Sequence, residues 1–259
     1  MTGRVKDRGQ PVFPPRPGSE RAAPVGLSGF DGRVALVTGA GRGIGRRTAE
    51  ILRDLGATVV AVDLEAPDLP GIVGIPMDVS NERSVETAFS TVERDTGIVQ
   101  LLVLNAGILR LEAFEETTLE SWQTTLDVNL TGAFLVARRA IGGMCGLGYG
   151  RIVGIGSSAG KSGGSSSAAA YAASKAGLMA LIKAIAMEYA SRGITANALA
   201  PALIQTSMME GISQFVERIP VGRPGTPDDV AWAVAFLCSA QSGYITAEVM
   251  DVNGGFLVD

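Results

Sequence analysis

The chain has 259 residues, 46% of them hydrophobic, which fits one α/β domain with a sizeable core, or at most two small domains. Its formal net charge of −4 argues against binding to nucleic-acid phosphates. The sequence contains no histidine, which excludes a Ser-His-Asp triad, a histidine metal site and a histidine general base. With only two cysteines, no metal site is expected, and acid–base chemistry must use Tyr, Lys, Asp, Glu or Cys.

The N-terminal segment differs from the rest of the chain. Residues 1–27 are rich in proline and poor in large apolar side chains, which predicts a flexible extension, with a subunit-contacting arm as the alternative. Residues 28–259 are expected to form a single catalytic domain. The sequence has neither an apolar run of membrane-spanning length nor the apolar region of a signal peptide. We therefore expect a soluble, cytoplasmic protein that does not bind membranes.

Short apolar runs alternate with helical periods from residue 33 onward. Strands are predicted at 34–37, 58–62, 74–77, 101–104, 152–155, 195–198 and 249–251. Helices are predicted at 44–55, 81–95, 118–142, 169–191, 206–218 and 227–239. This alternation is typical of a doubly wound parallel sheet, here of about seven strands, with helices on both faces.

A glycine-rich turn follows the first predicted strand, with the sequence Thr38-Gly39-Ala40-Gly41-Arg42-Gly43-Ile44-Gly45. Backbone N–H groups at the positive end of the next helix could bind a pyrophosphate. The spacing differs from the GxGxxG dinucleotide fingerprint, so a structural turn and another kind of nucleotide site remain alternatives. Asp63 ends the second strand, where its carboxylate can accept hydrogen bonds from ribose hydroxyls and repel the extra phosphate of NADP. The cofactor predicted is NAD, with NADP less favoured.

Tyr171 and Lys175 are four residues apart on a predicted helix, so they share a face. A free phenol has a pKa near 10 and is a poor base at neutral pH. A neighbouring ammonium group stabilises the phenolate, and a shift of ~3 pKa units corresponds to about 4 kcal/mol. The pair is therefore a candidate for proton transfer. For an isolated pair, the alternative is a Tyr and a Lys on a solvated helix face.

The pair is accompanied by Asn105-Ala106-Gly107, Asn129 and Ser157, in chain order after the glycine-rich turn. With these motifs the sequence resembles the short-chain dehydrogenase/reductase family over roughly residues 30–259. The resemblance implies a Rossmann fold and NAD(H)-dependent hydride transfer between a secondary alcohol and a ketone. Within the family the chain is most similar to the 3-oxoacyl-carrier-protein reductases and NAD-dependent alcohol dehydrogenases, and a cyclic dihydrodiol dehydrogenase is a further alternative. A nucleotide-binding sensor without catalysis is the alternative from another class.

The resemblance also implies roles for individual residues. Tyr171 would be the general acid/base, Lys175 would lower its pKa and hold the nicotinamide ribose, and Asn129 would kink its helix and hold a water. Ser157 would bind the substrate oxygen, with the adjacent Ser158 as the alternative. Cofactor contacts are implied for Thr38, Gly39, Gly41, Arg42, Gly43, Ile44, Gly45, Asp63, Asp78, Val79, Asn105, Ala106, Gly107, Tyr171, Lys175, Pro201, Ile204 and Thr206. Substrate contacts are implied for Ser157, Tyr171, Met208 and Met209.

Further expectations concern the segments that neighbour this site and the assembly of the chain. Family members often have Pro-Gly where this chain has Pro201-Ala202, and prolines between Asp63 and Asp78 predict that no full helix forms there. Residues 206–218 are predicted to form a lid over an apolar substrate. The partner expected besides a small alcohol or ketone is the chain itself, as a homotetramer paired through the helices at 118–142 and 169–191.

Overall fold

A computed structural model describes residues 26–164, 167–206 and 217–258. Seven parallel strands form one sheet in the order β3-β2-β1-β4-β5-β6-β7. The strands are β1 (Val34–Thr38), β2 (Thr58–Asp63), β3 (Val73–Pro76), β4 (Val99–Leu104), β5 (Gly150–Ile155), β6 (Ile194–Pro201) and β7 (Val249–Val252). The predicted doubly wound, seven-stranded sheet is confirmed.

Helices cover both faces of this sheet. They are α1 (Gly43–Asp54), α2 (Glu82–Asp95), α3 (Leu119–Leu126), α4 (Gly132–Leu147), α5 (Ser158–Ser162), α6 (Ala169–Tyr189) and α7 (Pro227–Cys238). Buried residues of α1 and α7 pack on one face, and those of α2, α4 and α6 pack on the other. Two apolar cores therefore enclose the sheet.

The first strand shows why the apolar runs are continuous. Its side chains alternate between the two cores: Val34 and Leu36 pack with α2, α4 and α6, while Ala35 and Val37 pack with α1 and α7. Because successive side chains of a strand point to opposite faces, a strand covered on both sides needs apolar residues at every position.

The region predicted as one helical period over 118–142, with a kink at Asn129, is divided into two helices in the structure. A π-helical turn at Asp127–Thr131 separates α3 from α4. The second helix continues to Leu147 and ends at Gly148, whose φ of +62° suits glycine. The short helix α5 was not predicted, because Ser-Ala-Gly-Lys-Ser has no apolar period.

Other expectations about the chain's extremities and connections have mixed outcomes. Residues 64–72 form no helix, as the prolines predicted. Residues 207–216 of the predicted lid, with Met208 and Met209, lie outside the described residues, as do residues 1–25 of the predicted extension. The end of that extension contacts the domain, since the Gly26 carbonyl accepts a hydrogen bond from Gln241 Nε2 at 3.1 Å.

Among the residues that the structure describes, one helical stretch, Ala169–Arg192, is long and apolar enough to cross a membrane. Half of its most apolar window is buried inside the domain. Leu178, Met179, Ile182 and Ile185 of this stretch belong to the core on the α2, α4 and α6 face. Its apolar character is therefore accounted for by packing against the sheet.

Candidate active site at the carboxyl edge of the sheet

The motifs singled out from the sequence meet where β1, β4 and β5 end. The sheet order reverses between β1 and β4, because the chain first builds β2 and β3 on one side of β1 and then crosses to the other. Ligands of open α/β sheets bind outside the carboxyl ends of the strands at such a switch point.

Thr38 joins the ends of β1 and β4. Its hydroxyl donates to the Val103 carbonyl at 3.3 Å and accepts from the backbone N–H groups of Asn105 and Ala106 at 2.9 and 3.0 Å. Three hydrogen bonds on one buried hydroxyl fix the start of the glycine-rich turn relative to the Asn105-Ala106-Gly107 segment.

The glycine-rich turn leaves no room for side chains at two positions. Gly39 has φ +64°, and a Cβ built there would lie 2.9 Å from Ala106 Cα. A Cβ on Gly45 would overlap the Gly39 carbonyl oxygen and Asn105 Nδ2. Asn105 Nδ2 in turn donates to the Thr38 and Gly39 carbonyls at 2.9 and 3.0 Å. The turn is thus held tightly at the start of α1, a helix whose N-terminus no side chain of the described residues caps.

Asp63 lies directly beside this turn. Its Oδ2 accepts a hydrogen bond from the Gly41 N–H at 2.9 Å, and its Oδ1 accepts one from the Leu64 N–H at 2.9 Å. A carboxylate is therefore fixed next to the glycine-rich turn at the end of β2.

Asp78 and Val79 follow β3 on the same edge. Asp78 Oδ1 accepts from the N–H of Ser80 at 2.9 Å and from its hydroxyl at 2.6 Å. The Val79 side chain packs against the start of α4, where a Cβ on Gly132 would lie 2.8 Å from Val79 Cγ2. Both residues border the same edge, with the Asp78 carboxylate used to shape its own loop.

Ser157 and Tyr171 are brought together by α5 and α6. The Ser157 side chain acts on the Tyr171 hydroxyl as a neighbouring hydrogen-bonding group that lowers the pKa of Tyr171. Ser157 is the N-cap of α5, and its Oγ also accepts from the Ala159 N–H at 3.1 Å. The backbone carbonyl of the neighbouring Ser158 accepts a hydrogen bond from Ser162 Oγ at 3.0 Å. Of the two candidate serines, Ser157 is therefore the one that contacts Tyr171.

Lys175 is almost completely buried, with 3% of its surface exposed. Its Nζ donates to the Ile155 carbonyl at 2.7 Å and lies 5.8 Å from the centroid of the Tyr171 ring. The Ile155 carbonyl was not anticipated from the sequence, because backbone acceptors leave no signal in a residue pattern.

Burial controls the titration of both groups. It raises the pKa of Tyr171 above its ordinary value, while the hydrogen bond from Ser157 lowers it. Burial also lowers the pKa of Lys175 to about 8. The Lys175 ammonium is directed to the Ile155 carbonyl, and the lowering of the Tyr171 pKa by Lys175 stays a prediction.

The buried lysine should make stability depend on pH. Lys175 has a pKa of about 8 when folded and 10.5 as the ordinary value, so between these pH values only the unfolded chain keeps the proton. Raising the pH through this window should increase the free energy of unfolding of the wild type relative to Lys175→Met by about 3 kcal/mol. Urea denaturation at pH 7.5 and 10.5 measures the difference. Lys183→Met, at an exposed position on the same helix, is the control, and parallel behaviour of both variants would contradict the prediction.

Asn129 lies in the π-helical turn and is fully buried. Its Oδ1 accepts from the Ile108 N–H at 2.8 Å, and its Nδ2 donates to the Ile108 carbonyl and to Ser174 Oγ, both at 2.9 Å. Ser174 Oγ donates to the Tyr171 carbonyl at 2.7 Å. The side-chain role of Ser174 was not anticipated, and its place between Tyr171 and Lys175 was the available signal. A Cβ on Gly107 would lie 3.2 Å from both Asn129 Oδ1 and Lys175 Nζ.

The remaining predicted positions among the described residues lie at the end of β6 and just after it. Pro201 ends that strand in register with Val252. Ile204 is buried and bridges to Gly225, while Thr206 approaches the glycine-rich turn, with its Cγ2 3.3 Å from a Cβ built on Gly43. The backbone N–H of the unusual Ala202 donates to the Val252 carbonyl at 3.3 Å, so β7 holds this position.

The doubly wound sheet, the glycine-rich turn and the Ser157–Tyr171–Lys175 cluster together define an oxidoreductase that acts on CH–OH groups. A family model described as enoyl-(acyl carrier protein) reductase matches residues 39–257. This chain therefore belongs to the short-chain dehydrogenase/reductase family.

Individual relatives agree with this assignment. The 3-oxoacyl-[acyl-carrier-protein] reductase FabG of Aquifex aeolicus is 40% identical over 243 residues, which cover 87% of this chain and 98% of the relative. The enzyme of the same name from Escherichia coli is 38% identical over 239 residues, with the same coverage. A crystal structure from Agrobacterium tumefaciens, provisionally assigned as a gluconate dehydrogenase, superposes with a TM-score of 0.83 at 32% identity, covering 89% of this chain and 98% of that one.

Proposed function

We propose that the protein is an NAD(H)-dependent dehydrogenase that interconverts a secondary alcohol and a ketone by hydride transfer. Ser157, Tyr171, Lys175 and Asn129 are its catalytic set in this proposal. The observation that supports it is the convergence of Ser157, at the start of α5, and the buried Lys175 on Tyr171, at the sheet edge where the glycine-rich turn lies.

The residues at this edge fit a dinucleotide. The glycine-rich turn would receive the pyrophosphate, since no side chain in the described part of the chain caps the N-terminus of α1. Asp63 would accept hydrogen bonds from the adenosine ribose, and Lys175 would hold the nicotinamide ribose. When bound, NAD⁺ accepts the hydride and brings a positively charged ring to the pocket.

The chain's own residues handle the proton. In alcohol oxidation, the Tyr171 oxygen accepts the hydroxyl proton, and Ser157 holds the substrate oxygen in place by a hydrogen bond. In ketone reduction, the Tyr171 hydroxyl donates that proton. Because burial keeps the pKa of Tyr171 above 10 in the chain alone, positive charge near the ring has to favour the phenolate for oxidation at neutral pH. Lys175 provides one such charge, and its own pKa of about 8 leaves it mostly protonated at pH 7.

Asp63 is the basis for proposing NAD over NADP. Two arginines of α1 that could bind a 2′-phosphate are already paired: Arg46 with Glu50 at 3.0 Å, and Arg47 with Asp228 at 2.7 Å. Arg42 is exposed and makes no ion pair within the described ranges 26–164, 167–206 and 217–258. The Asp63 carboxylate would therefore repel a 2′-phosphate, and of these three arginines Arg42 alone has no ion pair within the described residues.

We expect Asp63→Ser to weaken NAD binding and to narrow the preference for NAD over NADP by at least about tenfold, because one charge repulsion and one ribose acceptor are lost. Kinetics with both cofactors measure the change. Glu65→Ser removes the same charge from an exposed neighbouring position and should leave the preference unchanged. A wild-type enzyme that prefers NADP would contradict the cofactor proposal.

The substrate class is open to a direct screen. The names of the FabG relatives favour a 3-oxoacyl-[acyl-carrier-protein] as a second candidate substrate, and a cyclic dihydrodiol is a further alternative within the family. Turnover of acetoacetyl-coenzyme A, gluconate and trans-1,2-cyclohexanediol, each with both nicotinamide cofactors, distinguishes these classes. No turnover of any substrate despite tight NADH binding would contradict the proposed activity.

We also propose that the enzyme assembles as a homotetramer in the cytoplasm. Large apolar side chains remain exposed on the two helices expected to pair, since Phe134 on α4 is 42% exposed and Met187 on α6 is 79% exposed. Burial of such side chains between subunits would remove apolar surface from water.

A further inference from the structure

We propose that the ion pair between Lys161 and Asp251 is a positioning device that holds α5, and with it Ser157, against Tyr171. The inference rests on the proposed function, because it assigns the pair a role through Ser157. Lys161 Nζ lies 2.7 Å from Asp251 Oδ2, and the two side chains are 15% and 27% exposed.

The pair joins two elements that are distant in the sequence. Lys161 is one turn after Ser157 on α5, whereas Asp251 is in β7, in register with Ala200 of β6. Because β6 and β7 are paired in the sheet, the contact connects the short helix α5 to a rigid part of the fold. A helix of five residues has too few internal hydrogen bonds to be stable by itself, so its position must come from contacts with its surroundings.

Two other contacts position α5, one before its start and one toward α6, and neither of them involves β7. The strand that precedes it is anchored where the Gly156 N–H donates to the Leu199 carbonyl at 2.8 Å. Gly160 brings the backbone of α5 against α6, since a Cβ there would lie 2.7 Å from both Ala176 N and Met179 Cε. The Lys161–Asp251 pair supplies the connection to β7, so the helix is fixed from both sides.

The environment of Asp251 explains why loss of Lys161 should displace the Asp251 carboxylate. Its Oδ1 is buried and has no hydrogen-bond partner within the described residues. Its Oδ2 accepts the hydrogen bond from Lys161 Nζ. Removing the lysine would leave a partly buried carboxylate that favours movement toward water. Such movement loosens the β7 side of α5, and Ser157 lies one turn from the broken contact.

The test compares Lys161→Met, Asp251→Asn and Lys161→Arg, using whichever compound of the panel above the wild type turns over fastest. We expect the first two to lower kcat by about 10- to 100-fold, because a displacement of ~1 Å at a reacting group has effects of this size. NADH binding should change by less than about twofold, since neither Lys161 nor Asp251 belongs to the glycine-rich turn. Lys161→Arg keeps the charge and should recover most of kcat.

A second readout reports on Ser157 directly. The hydrogen bond from Ser157 lowers the pKa of Tyr171, so its loss should move the tyrosinate titration upward. The absorbance difference between each variant and its Tyr171→Phe counterpart isolates this titration, and it needs no substrate. Lys175, on the same helix as Tyr171, is unchanged in every variant, and a merely structural role for the ion pair would leave the Tyr171 midpoint where it is.

The matched control is Arg139→Met. Arg139 Nη2 lies 2.7 Å from Glu93 Oε2, the side chains are 24% and 35% exposed, and the pair joins α4 to α2 away from the site. This variant should lower the melting temperature without affecting kcat or the Tyr171 titration. If Lys161→Met fails to fold, the isosteric Asp251→Asn gives the answer by itself.

Each outcome is decisive. A kcat within about twofold of wild type with an unmoved Tyr171 titration, or an equal loss in Lys161→Arg and Lys161→Met, would overturn the inference. An increase in KM with unchanged kcat would also overturn it and indicate a substrate contact instead. Failure of the proposed function is distinguishable, because Ser157→Ala and Tyr171→Phe would then remain active whatever the ion-pair variants do.

Discussion

Replacing Tyr171 by Phe should lower kcat by about 10²- to 10⁴-fold, the usual contribution of a general acid or base. The ring and its packing on α6 are retained, and the group that is lost is the hydroxyl on which Ser157 acts. NADH binding should stay within about twofold of wild type, since that hydroxyl is not part of the glycine-rich turn. Steady-state kinetics and fluorescence titration with NADH measure the two effects.

Tyr244→Phe serves as the control, because Tyr244 is 95% exposed and the same atom is removed. Its activity and stability should match the wild type. Should Tyr171→Phe keep more than about a tenth of the wild-type kcat, Tyr171 would not be the acid/base and the proposed mechanism would fail.

The second large effect is expected at the glycine-rich turn. Gly45→Ala would place a Cβ against the Gly39 carbonyl oxygen and Asn105 Nδ2, and both atoms are fixed by their own hydrogen bonds. Overpacking of this kind typically lowers the free energy of unfolding by about 1–3 kcal/mol. Because the strain displaces the turn itself, NADH binding should weaken by about tenfold or more. Thermal unfolding and fluorescence titration provide the two measurements.

Gly146→Ala is the matched control for this substitution. Gly146 lies in α4, and a Cβ there meets no atom within 4 Å. Alanine in a helix interior is favoured over glycine by roughly 0.5–1 kcal/mol, so this variant should be slightly more stable and bind NADH normally. Unchanged cofactor binding in Gly45→Ala would show that the turn is not the cofactor site.

Much of the fold was accessible from the sequence because it depends on patterns that act locally. Continuous apolar runs such as Val34–Val37 predicted strands covered on both faces, and the structure places their side chains in two cores. The start of α7 was equally clear, since Thr226 and Asp229 form a capping box around Pro227. The order of motifs along the chain then indicated the family, which the comparisons show.

What the sequence did not reveal depends on contacts between distant elements. The family resemblance implied a kink at Asn129, but the residues from Asp127 to Thr131 did not indicate a π-helical turn, because the bonds of Asn129 to Ile108 and Ser174 join it to distant residues. The pKa of Lys175 was also beyond reach, since the spacing of Tyr171 and Lys175 says nothing about burial or about the acceptor at Ile155. Residue spacing predicts which groups share a face, whereas solvation decides how they titrate.

The π-helical turn between α3 and α4 adds one residue to the chain without changing the face of α4 that packs on the sheet. A single π turn contains one residue more than the α turn it replaces, while the helices on either side keep their faces. A chain shorter by one residue within Asp127–Thr131 could therefore keep Val136 and Met144 of α4 against the sheet. The same deletion at Gly142 would rotate the rest of α4 by about 100° and turn Met144 away from the core. The shorter turn would lose the hydrogen bonds between Asn129 and Ile108, and with them the placement of Asn129 that the proposed function requires.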